Sequence, residues 1–249
     1  MVGFEGTCAV VTGAASGIGA ATAERLAAEG AFVLLADIDA ARLDDVAGSI
    51  TAAGGQAQAC AFDVASTQGW QSAAQELARL GLRVHTLVNN AYTLEVKPLH
   101  ELSLDSWQRQ LAVDLTAVYL AVRTFHDDLV ATRGSIVNVA SVHAVLSWPG
   151  HPAYAASKGG MLSLTRQLAV EYGPQIRVNA VLPGPVLTAV WDGVPESSRQ
   201  AAGRETALGR MGRAAEVAAA ITFLASDEAS FVTGVSLPVD GGQTIKSRG

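Results

Sequence analysis

The chain has 249 residues, of which 49% are hydrophobic and 16% are charged, so it is able to bury a large core. Its formal net charge of −6 and the lack of any basic cluster argue against a nucleic-acid-binding protein. No window is apolar over the length of a membrane span, and the N-terminus lacks a charged leader with an apolar core. These properties predict a cytoplasmic protein with no membrane partner and no nucleic-acid partner.

No linker, low-complexity tract or internal repeat interrupts the chain, so we expect residues 1–249 to form a single domain. Cys8 and Cys60 both lie in apolar runs, and neither has the spacing of a metal ligand. We therefore expect two buried free thiols and no metal site.

Short apolar runs recur along the chain, and helical patterns fill most of the gaps between them. This alternation predicts an α/β fold in which helices cover both faces of a parallel sheet. The stretch 183–203 has three prolines and little periodicity, which predicts a mobile loop over a site. Residues 210–225 have the pattern of an amphipathic helix that enters the core. The strand-like runs are 8–11, 32–36, 57–62, 84–88, 135–140, 176–182 and 235–239.

A glycine-rich turn follows the first apolar run. The run leads into T-G-A-A-S-G-I-G at 12–19, and an alanine-rich helical stretch, 20–29, comes next. In such a turn the backbone N–H groups at the helix N-terminus meet a pyrophosphate, and glycine is needed where a side chain would block that approach. The candidate phosphate-binding residues are Gly13, Ser16, Gly17, Ile18 and Gly19.

An acidic residue ends the second apolar run. Asp37 lies eighteen residues beyond Gly19, close to where dinucleotide-binding folds place the carboxylate that binds the adenosine ribose hydroxyls. Its charge would repel a 2′-phosphate, and Ile38 rather than an arginine follows it, so NAD is favoured over NADP. The alternative for Asp37 is a solvated residue at the end of a strand.

Three residues in the middle of the chain carry the chemistry. Tyr154 and Lys158 are four residues apart in a helical stretch, Y-A-A-S-K, so they lie on one face. A lysine ammonium about 4 Å away stabilises a phenolate by about 4 kcal/mol, which brings the tyrosine pKa toward neutrality. Such a tyrosinate exchanges a proton with an alcohol, and Ser141 would hold the substrate oxygen. A tyrosine–lysine pair alone is a weak signal, and its other interpretation is an ordinary helix contact.

Together these residues resemble the short-chain dehydrogenase/reductase family over nearly the entire chain. The resemblance implies a seven-stranded, doubly wound Rossmann sheet in three layers, assembled into a homo-oligomer, with a tetramer favoured over a dimer. The motifs that carry it are the glycine turn, Asp63-Val64 after the third strand, N-N-A at 89–91, the Ser141, Tyr154 and Lys158 set, Pro183-Gly184, and V-D-G-G at 239–242.

The resemblance also implies a role for each matched residue. Tyr154 would be the acid–base, Ser141 would orient the substrate, and Lys158 would bind the nicotinamide ribose while lowering the tyrosine pKa. The other implied cofactor contacts are Asp63 and Val64 at the adenine, Asn90 beside the cofactor and central sheet, Thr188 at the nicotinamide carboxamide, and Pro183, Gly184 and Val186.

Two residues depart from the family pattern. Tyr92 replaces the glycine of N-N-A-G, where it would narrow the cofactor groove or form part of the substrate wall, unless it is simply a tolerated loop substitution. Asp114 replaces an asparagine that helps hold a water on a proton relay to the lysine. An ionised carboxylate near Lys158 would partly cancel the effect of the lysine on Tyr154, so we expect an active enzyme whose alcohol oxidation has an alkaline-shifted optimum.

The substrate is less well defined than the reaction. Indole faces beside polar tips suit a polyol, sugar or cyclic alcohol, although they would also fit an aryl ketone. His143 stands two residues beyond Ser141 and is a candidate to contact a substrate hydroxyl, and the alternative interpretation of each histidine is a solvated loop residue. The candidate wall residues are Tyr92, Glu95, His143, Trp148, His151, Val186 and Trp191.

Three functions are therefore weighed. The favoured one is an NAD-dependent enzyme that interconverts a secondary alcohol and a ketone. The second is an NADPH-dependent 3-oxoacyl thioester reductase, against which Asp37 counts, as does the lack of a basic patch for a phosphopantetheine carrier. The third is a dinucleotide-binding regulator without turnover, which the complete Ser141, Tyr154 and Lys158 set disfavours.

Overall fold

The computed structural model describes residues 3–246, so residues 1, 2 and 247–249 of the predicted domain lie outside the described part. Its centre is one sheet of seven parallel strands in the order β3-β2-β1-β4-β5-β6-β9, and β7 and β8 form a separate pair. The predicted seven-stranded Rossmann sheet is confirmed. The strands are β1 (Cys8–Thr12), β2 (Phe32–Asp37), β3 (Gln56–Ala61), β4 (Thr86–Asn89), β5 (Ser135–Val139), β6 (Arg177–Pro183), β7 (Val186–Leu187), β8 (Gly212–Arg213) and β9 (Ser236–Val239).

Helices cover both faces of the sheet. The helices are α1 (Gly17–Ala28), α2 (Ala40–Ala52), α3 (Thr67–Arg79), α4 (Leu104–Leu111), α5 (Ala117–Thr132), α6 (Pro152–Tyr172), α7 (Glu196–Arg204) and α8 (Ala214–Ala225). Residues of α1, α2 and α8 pack into one core, and residues of α3, α5 and α6 pack into the other. The chain therefore forms the three layers that the alternation of strands and helices predicts.

The strands are apolar on both sides because alternate residues supply the two cores. In β1, Cys8 and Val10 belong to the core beneath α3, α5 and α6, whereas Ala9 and Val11 belong to the core beneath α1, α2 and α8. The core beneath α3 also contains Trp70, whose indole N–H donates to the Val64 carbonyl at 2.8 Å. A continuous apolar run, rather than an alternating one, is the sequence pattern of a strand buried on both faces.

The sheet places the candidate site at one edge. Strand β1 pairs with β2 on one side and with β4 on the other, so the strand order reverses between β1 and β4. In such sheets ligands bind outside the carboxyl ends of the strands at this point of reversal. Thr12, Asp37, Asn89, Val139 and Pro183 end their strands there.

Two predicted segments differ from the structure. The stretch 183–203 contains β7, a short 3₁₀ turn (Ala189–Trp191) and most of α7, so the predicted loop is wrong as secondary structure. The helix predicted over 210–225 begins only at Ala214, because 212–213 pair with β7 and Glu216 accepts the Arg213 N–H at 2.8 Å. The sequence pattern at 196–204 is too polar to reveal the helix.

The two thiols are free, but only one is fully buried. Cys8 lies in the central strand β1, and burial raises the pKa of its thiol to about 12. Cys60 is only partly buried because it lies in β3, which is an edge strand. Among residues 3–246, no helix combines the length and apolar composition of a membrane span.

Candidate active site

The turn between β1 and α1 requires its glycines. Gly13 and Gly17 have φ of +64° and +57°, a region that side chains rarely adopt. A Cβ on Gly19 would lie 2.0 Å from the Gly13 carbonyl oxygen. The Ser16 side chain does not cap α1, and N–H groups at the N-terminus of a helix are suited to bind a phosphate.

Asn90 ties this turn to the end of β4. Its amide donates to the carbonyl oxygens of Thr12 at 2.8 Å and Gly13 at 3.2 Å. In return, the Thr12 hydroxyl accepts the main-chain N–H groups of Asn90 and Ala91 at 2.8 and 3.0 Å. These hydrogen bonds therefore link the end of β1 to the end of β4, the two strands between which the strand order reverses, without any contribution from a ligand.

Asp37 has the position that the sequence predicts. One carboxylate oxygen accepts the N–H of Ala15 at 3.1 Å, and the other accepts the N–H groups of Ile38 at 2.7 Å and Asp39 at 3.2 Å. The side chain lines the same cavity as the glycine turn. It is thus an oriented carboxylate beside a helix N-terminus and not a freely solvated residue.

Arg109 is a site residue that the sequence did not reveal. Its guanidinium pairs with Asp63 at 2.7 Å, and both residues line the cavity. Partial burial raises the pKa of the Asp63 carboxyl, but hydrogen bonds from Arg109 and the Ala65 N–H hold it below its usual range. No motif marks Arg109, because its partner is 46 residues away along the chain.

One cavity of about 910 Å³ joins the predicted cofactor residues to the predicted catalytic ones. Gly19, Asp114 and Glu95 are the predicted residues outside its lining. Gly19 packs behind the turn, Asp114 is fully buried, and Glu95 pairs with Lys97 at 2.5 Å. Predicted residues in the wall are Gly13, Ser16, Gly17, Ile18, Asp37, Asp63, Val64, Asn90, Tyr92, Ser141, His143, Trp148, His151, Tyr154, Lys158, Pro183, Gly184, Val186, Thr188 and Trp191.

The structure brings Ser141, Tyr154 and Lys158 together. Ser141 follows β5, and its hydroxyl accepts the His143 N–H at 3.2 Å and acts to lower the pKa of Tyr154. Tyr154 and Lys158 lie on α6, with the Lys158 ammonium 5.6 Å from the centroid of the Tyr154 ring. The ammonium is 1% exposed and donates to the Val139 carbonyl at 2.9 Å.

Burial is the largest influence on the pKa values of Tyr154 and Lys158. It raises the pKa of Tyr154 above its ordinary value, against the hydrogen bond from Ser141, and the charges of Tyr92 and Asp114 raise it further. Burial also lowers the pKa of Lys158, while Asp114 opposes that shift. The pKa of Tyr154 is therefore raised in this structure, whereas the lysine neighbour alone predicted that it would be lowered.

Asp114 lies in a π-helical turn, Ala112–Thr116, between α4 and α5. One oxygen accepts the Thr93 N–H at 2.8 Å, and the other accepts the Ser157 hydroxyl at 3.2 Å. Burial raises the pKa of its carboxyl, and Lys158 and these hydrogen bonds oppose the shift. The expected proximity of Asp114 to the lysine is present, and its charge acts on both Tyr154 and Lys158.

Aromatic side chains surround the Tyr154 ring. The Tyr92 ring lies 6.0 Å from it and the His143 ring 5.2 Å, both edge-on. His143 in turn contacts Trp148 at 4.4 Å and His151 at 4.7 Å between centroids. His143 is therefore not the solvated loop residue of the alternative interpretation, and Tyr92 is part of the cavity wall.

Known proteins match this arrangement. The family model described as enoyl-(acyl carrier protein) reductase matches residues 13–244. The chain belongs to the short-chain dehydrogenase/reductase family. It is an oxidoreductase of the kind that acts on CH–OH groups, and the family binds a nicotinamide dinucleotide.

Several relatives from this family match over almost their full length. The meso-2,3-butanediol dehydrogenase of Serratia marcescens is 38% identical over 97% of this chain and 96% of its own. The cis-4-hydroxycyclohexanecarboxylate dehydrogenase of Sinomonas cyclohexanicum is 43% identical over 97% and 98%. The 3-oxoacyl-(acyl-carrier-protein) reductase of Thermotoga maritima is 37% identical over 97% and 99%. These relatives are similar in sequence but differ in their named substrates.

A solved structure from the family has the same fold. It is named as an NAD(P)-dependent gluconate 5-dehydrogenase of Beutenbergia cavernae with bound NADP at low occupancy. It is 37% identical, covers 98% of this chain and 99% of its own, and superposes with a TM-score of 0.91.

The glycine turn gives a direct test of the dinucleotide site. We expect Gly19→Ala to weaken NADH binding by at least about tenfold, because its methyl group would clash with the Gly13 carbonyl. Gly48→Ala is the matched control, since a Cβ there meets nothing within 4 Å. Fluorescence titration of NADH measures both, and thermal melting shows whether each variant is folded. Equal affinities in two folded variants would contradict the assignment.

Proposed function

We propose that this enzyme is an NAD-dependent dehydrogenase that interconverts a secondary alcohol and a ketone. The observation that carries the proposal is one cavity with Asp37 and the glycine turn at one end and Ser141, Tyr154 and Lys158 at the other. The relatives named for butanediol and for a hydroxycyclohexane support an alcohol substrate, and we propose a polyol, sugar or cyclic alcohol.

The residues present fit a nicotinamide dinucleotide. Gly13, Gly17 and Gly19 leave the turn at the α1 N-terminus without side chains that would block a phosphate, and Asp37 presents a fixed carboxylate beside this turn. Asp63, Val64 and Arg109, which line the cavity, would contact the adenine, whereas the lining residues Pro183, Gly184, Val186 and Thr188 would contact the nicotinamide. When bound, the dinucleotide supplies the hydride acceptor for alcohol oxidation.

The chain's own residues would handle the proton. Tyr154 would accept the alcohol proton at its phenolic oxygen, and the Ser141 hydroxyl, which acts to lower the pKa of Tyr154, would hold the substrate oxygen. The Lys158 ammonium, 5.6 Å from the ring, would stabilise the phenolate and bind the nicotinamide ribose. Because Lys158 is buried, its charge is weakly screened, which strengthens this stabilisation.

Asp37 supports NAD over NADP. Its carboxylate is held by three main-chain N–H groups, so it would meet a 2′-phosphate as a fixed negative charge. Arg109 is the cation at this end of the cavity wall among residues 3–246, and it is already paired with Asp63. The NADP in the Beutenbergia cavernae structure belongs to that protein and makes a direct comparison of the two cofactors necessary.

We also propose that the protein is a single cytoplasmic domain that assembles into a homotetramer. Large apolar side chains are exposed in the single chain, including Val170 at 83% and Phe231 at 103%. Exposed apolar side chains of this size are commonly covered by a subunit contact.

Cofactor preference tests the Asp37 proposal. We expect the wild type to bind NADH at least about tenfold more tightly than NADPH, because two like charges meet in the NADPH complex. In Asp37→Ser the preference should fall, mainly through tighter NADPH binding. Fluorescence titration of both nucleotides measures this. Preference for NADPH in the wild type would reject the proposal and favour the thioester reductase, for which the Thermotoga maritima relative is named.

Loss of the phenol tests the catalytic proposal. We expect Tyr154→Phe to lower kcat for alcohol oxidation by about 10²–10⁴-fold, since it removes the proton acceptor. Tyr119→Phe is the matched control, because Tyr119 is exposed on α5, its hydroxyl accepts a hydrogen bond from Arg123, and it is not one of the residues that line the cavity. If Tyr154→Phe retained wild-type turnover, the mechanism would be wrong. If the wild type turned over no alcohol or ketone, the non-catalytic regulator would be supported.

Removal of the Asp114 charge tests the pH dependence. The carboxylate raises the pKa of Tyr154, so in Asp114→Asn that pKa should be lower. Alcohol oxidation needs the deprotonated tyrosine, and the ascending limb of log kcat/KM against pH should therefore move to lower pH. An asparagine oxygen can still accept from Thr93, which preserves the turn. Profiles of the two proteins that coincide would contradict this role of Asp114.

A further inference from the structure

His143 has a buried nitrogen that the protein itself does not satisfy. Its Nδ1 is buried and has no hydrogen-bond partner among the described residues. Buried polar atoms in folded proteins nearly always have a partner, and His143 is also one of the residues that line the cavity, so its imidazole is a candidate to bind a ligand group.

The ring is held in a fixed position beside the reacting centre. The main-chain N–H of His143 donates to the Ser141 hydroxyl at 3.2 Å, so the residue is tied to the group that would hold the substrate oxygen. The imidazole lies edge-on to the Tyr154 ring at 5.2 Å and contacts the rings of Trp148 and His151. A group bound to His143 would therefore lie close to the carbon that is oxidised, and not at the mouth of the cavity.

The charges around the ring favour a neutral substrate. Burial lowers the pKa of His143 to about 4, with a contribution from His151, so the imidazole is uncharged near neutral pH. Among residues 3–246, the lysine and arginine side chains in the cavity wall are Lys158 and Arg109. Lys158 is bound to the Val139 carbonyl and Arg109 to Asp63, while Glu205 adds a negative charge to the wall. A substrate carboxylate would have no free cation to pair with.

The neighbours of His143 also have flat faces. Tyr92 contacts the Tyr154 ring and Trp148 contacts the His143 ring, and both line the cavity together with Trp191. Aromatic faces provide a large apolar contact area for a ring, whereas a flexible open chain loses more conformational freedom on binding.

From these observations we infer that His143 binds a second hydroxyl, adjacent to the one that is oxidised, and that the substrates are neutral cyclic 1,2-diols. The inference rests on the proposed alcohol dehydrogenase function. It narrows that function in two ways, since it selects a diol over a monoalcohol and an uncharged substrate over a hydroxy acid. A hydroxyl is suited to a neutral imidazole because it can donate to, or accept from, the same nitrogen.

The test compares three matched substrates with the NAD-loaded enzyme: cyclohexane-1,2-diol, cyclohexanol and 2-hydroxycyclohexanecarboxylate. In the wild type we expect kcat/KM to be highest for the diol and lowest for the carboxylate. In His143→Phe, which keeps an aromatic ring but removes both nitrogens, the ratio of kcat/KM for diol to that for cyclohexanol should fall about tenfold, or about 1.4 kcal/mol. His100→Phe is the control, because His100 is 81% exposed and outside the cavity wall.

A parallel binding measurement covers the case of slow turnover. The affinities of the diol and of cyclohexanol for the enzyme–NADH complex, followed by nucleotide fluorescence, should show the same change of ratio in His143→Phe. An unchanged ratio in both assays, or a preference of the wild type for the carboxylate, would overturn the inference. Oxidation of cyclohexanol without diol selectivity would overturn it while leaving the dehydrogenase function in place. Absence of alcohol oxidation together with absence of diol binding would reject both.

Discussion

Burial of the Lys158 ammonium is the constraint on which the rest of the site depends. An isolated charge in a protein interior is strongly unfavourable, so its surroundings must compensate for it. The Val139 carbonyl at the end of β5 accepts a hydrogen bond from the ammonium at 2.9 Å, and the centroid of the Tyr154 ring lies 5.6 Å away. Asp114 adds a carboxylate that favours the charged lysine. The Asp114 carboxylate thus both favours the charged lysine and changes the pKa of Tyr154.

This compensation gives Asp114 a physical meaning. Compared with the asparagine of the family pattern, a carboxylate stabilises the buried ammonium more strongly, but it also raises the pKa of Tyr154. The carboxylate in turn needs its own partners, and the π-helical turn places it where Thr93 and Ser157 donate to it. An aspartate at this position therefore keeps Lys158 charged more strongly than an asparagine would, and the consequence is a higher pKa of Tyr154.

The sheet and the cofactor end of the cavity could be predicted from the sequence because both depend on local rules. A buried strand shows as an apolar run, and the clash at Gly19 would arise from the turn's own backbone. The features that sequence did not reveal depend on distant partners. Arg109 is defined by Asp63, α7 is a polar helix without an apolar stripe, and the Tyr154 pKa depends on how deeply the fold buries it.

The same distinction separates the two ends of the cavity. At the cofactor end, glycines set the geometry of the turn, and main-chain N–H groups hold the Asp37 carboxylate in place. At the substrate end, side chains from three segments that are distant in the sequence contribute to the wall beside α6, represented by Tyr92, His143 and Trp191. Of these, His143 is the one whose buried nitrogen has no partner among residues 3–246. Apolar faces accept many alcohols, whereas an imidazole in the wall can hydrogen-bond a second hydroxyl, so selectivity should depend on His143 more than on the larger aromatic residues around it.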